Sequence, residues 1–138
     1  MNIFSRITVY RYVLFLLLPL LFLSCSEKTV ELSDGIYTIE VTLEGGSGRA
    51  SVFSPATIEV TGGTVIAEIE WSSPFYEYMT ADGKRFEPLQ TSGNAVFRIP
   101  VQLDTKMEVS ASTVAMSEPH LIDYTLYFDS STLERSGS

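Results

Sequence analysis

The stretch "ATIEVTGGTVIAEIEW", residues 56–71, decides the fold class. Two β-rich runs flank the tight-turn signal "TGG" at 61–63. In the second run Val65, Ala67, Ile69 and Trp71 fall on one face and Thr64, Glu68 and Glu70 on the other. A period of two is the signature of a half-buried strand, since successive side chains point to opposite faces. The same pattern recurs outward in both directions. "IYTIEVTL" puts Tyr37, Ile39, Val41 and Leu43 on one side. "FYEYM", "KRFEPL", "NAVFRIPV", "MEVSASTVA" and "HLIDYTLYF" follow, with breakers about every ten residues and no stretch of helical period. Asp82-Gly83 in "ADGKRF" is a strong short-range hairpin signal. About eight short strands without a repeat or a low-complexity divider predict one all-β domain, an antiparallel sandwich or barrel.

The N-terminus reads differently. "MNIFSRITVYRYVLFLLLPLLFLSC" carries Arg6 and Arg11, no acid, and an apolar run from Val13 to Leu23. That run is short for a bilayer span but suits the h-region of a signal. Its end, "LSC", resembles a bacterial lipoprotein signal, in which the cysteine is lipidated and becomes the first mature residue. Cys25 is the only cysteine, so the chain has no intrachain disulfide, and lipidation explains a lone cysteine in an exported protein. The expected organisation is a signal peptide over 1–24, a polar tether over 25–33, a sandwich domain over 34–129 and a Ser-rich disordered tail over 130–138. The expected location is extracytoplasmic, on a membrane held through Cys25, at the cell surface or in the periplasm.

Charge and composition exclude several function classes. The chain has 9 basic and 17 acidic residues, a formal net charge of −8, and loss of the signal would remove two more positive charges. So acidic a protein is a poor nucleic-acid binder, because phosphate contacts dominate that affinity. A single histidine cannot build a His-rich zinc site. There is no nucleophile elbow, no phosphate-binding glycine loop and no cysteine nucleophile in the mature chain. Glu68 and Glu70 read as a solvated strand face. The expectation is a protein that is not an enzyme.

Three segments are candidates for binding. "LEGGSGRASVFSPA", 43–56, is a loop rich in backbone N–H donors, and Arg49 within it suits a carboxylate partner. "WSSPFYEYM", 71–79, packs four aromatics and Met79 into nine residues. Strict alternation there would put Phe75, Glu77 and Met79 on one face and Tyr76 and Tyr78 on the other. Aromatic rings and thioether sulfur suit a flat apolar ligand as well as a core. "AMSEPH", 115–120, places Met116 and His120 in a turn, and both side chains can bind a soft metal or a haem iron.

In order, "LSDGIYTIEVTL", "SPATIEVTGGTVIAEIEWSS", "KRFEPL", "NAVFRIPVQLDTKMEVSA" and "IDYTLYFD" resemble the NEAT domains of surface haem-uptake proteins, over residues 32–129. The resemblance implies an immunoglobulin-like β-sandwich that holds haem between the loop after the first strand and the last hairpin. NEAT haem binders use a "YxxxY" motif entering the last strand, its first tyrosine on the iron. This chain has "EPHLIDY", and the resemblance sets Glu118 near the ligand position and His120 on a position that is often histidine. "TVAMSEPHLIDYTLYF" also resembles the Shp-type surface haem proteins, which hold iron between two methionines. That resemblance implies Met79 and Met116 as ligands, His120 as the substitute, Arg49 at the propionates, and Tyr76, Tyr78 and Trp71 along the ring. The expected function is a lipid-anchored haem carrier in iron acquisition, with haem or a haem protein and a transporter's substrate-binding protein as partners. The rivals are a cofactor-free adhesion or complex-subunit module, a Met/His copper carrier and an acidic-surface enzyme.

Overall fold

The computed structural model describes residues 31–137. The expected signal peptide over 1–24 and Cys25 lie outside the described residues. From Glu31 onward the chain forms a compact unit that encloses its own core. Eight strands make it up: β1 (Gly35–Gly45), β2 (Ala56–Thr61), β3 (Thr64–Glu70), β4 (Tyr76–Ala81), β5 (Lys84–Phe86), β6 (Val96–Pro100), β7 (Met107–Thr113) and β8 (His120–Arg135). All pairings are antiparallel, in the order β5-β4-β7-β8-β1-β2-β3-β6. The sheet folds over itself until its two ends, β5 and β6, lie side by side. The all-β sandwich of about eight strands is thus the fold.

The opening stretch behaves as its period demands. β2 and β3 pair from Thr57↔Glu68 to Thr61↔Thr64 around a two-residue turn. Ala67, Ile69 and Trp71 are buried, and Glu68 is exposed. Asp82 and Gly83, at φ of 50° and 71°, make the matching turn between β4 and β5, the left-handed pair a two-residue hairpin requires. Ile39, Ile58, Ile69, Phe97, Ile99, Leu126 and Phe128 fill the space between the layers with almost no exposure.

Two expectations change. The Ser-rich C-terminus is strand through Arg135, not a disordered tail from Ser130. β8 bulges where its partner β1 steps from Thr38↔Glu134 to Glu40↔Asp129. Hydroxyls and carboxylates occupy the backbone groups that the bulge leaves unpaired. Ser130 donates its N–H and its hydroxyl to Asp104, and Glu40 donates its N–H to Thr132 Oγ1. Those bonds hold the Asp104 carboxyl below its ordinary value. Arg135 then donates to Ser33 Oγ and to the Asp34 carbonyl, and its guanidinium lies 5.7 Å from the Tyr37 ring centroid. At the other end Leu32 packs on the core and Ser33 bonds the Tyr37 hydroxyl, so the fold begins before residue 34.

The second change is in β4. Tyr76 pairs with Thr113 and Tyr78 with Ser112, so β4 carries one extra residue there. Such a bulge flips the faces on one side of it. Tyr76 and Met79 both point inward and Tyr78 points outward, against the split that strict alternation predicts.

Candidate functional site

The candidate site lies at the end of the sandwich where the β1–β2 loop meets the β7–β8 hairpin. Register sets its inward face: Val109↔Tyr124, Ala111↔Ile122 and Thr113↔His120 are cross-strand pairs. His120, Ile122 and Tyr124 therefore share one face, with burial deepening along the strand from the exposed His120 to Tyr124, which is 3% exposed. His120 opens β8, four residues before Tyr124. In a strand that spacing returns to the same face.

Beneath them is an aromatic bed. The Trp71 ring lies 4.3 Å from Tyr76 and 5.1 Å, edge-on, from Tyr124. The Tyr76 and Tyr124 hydroxyls meet at 3.5 Å. Burial first, and this neighbour second, push the Tyr76 phenol well above its ordinary value. A loss of its proton near neutral pH is therefore strongly disfavoured. The indole N–H of Trp71 donates to Met79 Sδ at 3.3 Å.

The loop is stitched to this bed by its backbone. Val52 bridges Trp71, Phe53 donates its N–H to the Glu70 carbonyl, and Ser72 donates to Ser51. Ser54 Oγ accepts the Val41 N–H. At the loop's start Gly46 has φ +62°, and a Cβ there would stand 2.9 Å from Tyr124 Cε1 and 3.4 Å from Ile122 Cγ2. Only a residue without a side chain lets the loop settle on the tyrosine. A Gly46→Ala change should destabilise the domain by about 1–2 kcal/mol, from the left-handed backbone and the contact with a ring that has no room to retreat. A lowered denaturant midpoint at unchanged slope would register it.

The sequence-derived residues divide. Tyr76, Trp71 and His120 come to one end of one face. Met79 does not join Met116 as a ligand: it is fully buried, and its sulfur already accepts the indole N–H. Met116 is 67% exposed at the hairpin tip. Tyr78 is on the outer face, where the Arg85 guanidinium stacks 3.8 Å from its ring centroid, so it does not line the bed. Arg49 is exposed in the loop and has no ion-pair partner among the described residues. Tyr124 and Ile122 were missed as site residues, although the i, i+4 spacing of His120 and Tyr124 announces the face they share. Phe53, Phe75, Val114 and Met116 add exposed apolar surface on the loop and around the hairpin.

Two grooves open on the surface of the described residues. One, of about 560 Å³, involves Glu44, Asp82, Glu108 and Asp123. The other, of about 480 Å³, opens between Val65, Phe86, Val101 and Met107 near the β2–β3 turn. The first takes in Glu44 and Gly45 from the start of the 43–56 segment and borders Tyr124, but its carboxylates give it the wrong charge for an anionic ligand; the second contains no residue of the three candidate segments.

Two solved structures share this arrangement of strands. One is the NEAT5 domain of IsdX2, a B. anthracis hemophore in complex with heme. It has TM-score 0.56 and 18% identity, covering 70% of this chain and 97% of that one. The other is a single-substitution variant of the same domain, also in complex with heme, with TM-score 0.55, 19% identity and coverage of 71% and 97%. This chain has the NEAT fold. No family model and no curated protein matches it. The NEAT-like sandwich puts the β1–β2 loop and the β7–β8 hairpin at one end, as the sequence resemblance implies.

Proposed function

We propose that this NEAT-like domain binds haem at the end framed by the β1–β2 loop and the β7–β8 hairpin, with His120 on the iron. The observation that carries the reading is the inward, solvent-reachable position of His120 at the head of a face that runs through Ile122 to Tyr124 and Trp71. The donor set suits the ligand. Imidazole is a common protein ligand of haem iron, and an apolar, aromatic bed suits a flat macrocycle. His120 and Tyr124 have the i, i+4 spacing of the "YxxxY" pair and share one face of β8, which favours His120 over the Glu118 position that the sequence resemblance indicates. Arg49 is the available cation on the facing loop, suited to a propionate. Met116, exposed in the tip of the hairpin that leads to His120, is the secondary donor.

Around this site we place capture and hand-over rather than catalysis. The domain is a carrier in iron acquisition, lipid-anchored through Cys25 outside the cytoplasm, receiving haem or meeting a haem protein and passing its cargo to a transporter's substrate-binding protein. Titrating the chain from Glu31 onward with hemin tests the binding. A shifted Soret band saturating at one equivalent is the expected result. A spectrum that stays that of free hemin at stoichiometric protein would overturn the haem reading and leave the cofactor-free module.

A further inference from the structure

The oxygen, nitrogen and sulfur donors at the candidate site have unequal access, and the difference bears on which oxidation state the site holds. This inference rests on the haem reading above. The phenols are withdrawn. Tyr76 and Tyr124 are 8% and 3% exposed and their hydroxyls face each other at 3.5 Å. Gly46 seals the Tyr124 ring edge. Tyr78 is stacked under Arg85 on the outer face, and Tyr127, odd-numbered beside the inward Leu126 and Phe128, also faces out. The Met79 sulfur is engaged by Trp71. The donors left within reach are His120 and Met116, both exposed, and both bind iron as neutral ligands. Glu118, in the tip two residues before His120, is an exposed carboxylate of the same hairpin.

Anionic phenolate stabilises ferric iron, whereas neutral imidazole and thioether serve ferrous iron as well. We infer that this site takes the reduced, ferrous tetrapyrrole and keeps its cargo across reduction, because the phenols are withdrawn and the donors within reach, His120 and Met116, are neutral ligands. The cargo class is then iron tetrapyrrole in either oxidation state, with no release triggered by one-electron reduction.

The test uses the chain from Glu31 onward, loaded anaerobically with hemin and then reduced with dithionite, followed by gel filtration and absorption spectra. Reduced haem should co-elute with the protein, and separate titrations should give ferric and ferrous affinities within about tenfold of each other. His120→Tyr changes an exposed side chain, so the fold is expected to stand. It should retain ferric haem with an altered spectrum and shed it on reduction. Loss of haem from the unaltered protein on reduction, with ferric binding intact, overturns the inference and leaves the haem reading standing. Loss of ferric binding in Glu118→Gln but not in His120→Ala overturns it too, by making a carboxylate the ligand. Failure to bind haem in both states removes the haem reading and this inference with it.

Discussion

Replacing Trp71 with alanine should cost the domain roughly 3–5 kcal/mol, the range for removing a large buried aromatic. The residue is fully buried and touches both layers. Its ring packs against Tyr76 and Tyr124, its N–H is satisfied by the Met79 sulfur, and its backbone bridges Val52 and bonds Ala95. Small domains have only about 5–15 kcal/mol of stability, so the loss would take most of the margin. Urea unfolding followed by tyrosine fluorescence and circular dichroism would measure it. Trp71→Phe keeps much of the apolar volume and should cost less. Met79→Leu, near in volume, leaves the indole N–H buried without an acceptor, and its cost should approach that of an unmade hydrogen bond, about 1–3 kcal/mol.

Replacing His120 with alanine should weaken hemin binding by about 100-fold or more. Losing even an outer partner of a metal ligand typically costs 10–100-fold, and the ligand itself matters at least as much. Stability should barely move, because His120 is exposed at a strand end and changes at such sites usually fall within about 0.5 kcal/mol. That pairing, a large effect on the Soret titration with an unchanged unfolding midpoint, separates a ligand from a structural residue. Met116→Ala should alter the spectrum less than His120→Ala does. The reverse order would move the iron ligand to the hairpin tip.

The strands were legible because alternation is a local signal. Val65, Ala67, Ile69 and Trp71 declare their face without reference to any other part of the chain. The segments that frame the candidate site were legible, but the side chains that share its face were not. The roles of Met79 and Tyr78 came from the resemblance and their faces from counting twos, and one extra residue between Tyr76 and Tyr78 defeats that count. A bulge is a property of the pair of strands, and nothing in "FYEYM" alone signals it. The sealing of Tyr124 by Gly46 joins positions that are distant in sequence, so it too is invisible before folding. The C-terminal serines misled for the opposite reason. Their composition suggests a solvated tail, but at the β8 bulge Ser130 donates its N–H and its hydroxyl to the Asp104 carboxylate, and the Thr132 hydroxyl accepts the Glu40 N–H and donates to the Asp129 carbonyl.

β1 also sets a direction. Its first residue, Gly35, lies beside Val60, and the preceding Asp34 accepts the Gly62 N–H. Its last, Gly45, lies beside Tyr124 at the candidate site. Eleven residues of strand separate the two poles by roughly 35 Å. The chain enters the domain at one pole and offers its site at the other. The loop and hairpin therefore stand at the far pole from Leu32 and Asp34, where a partner can meet them end-on without touching the strand's first residues.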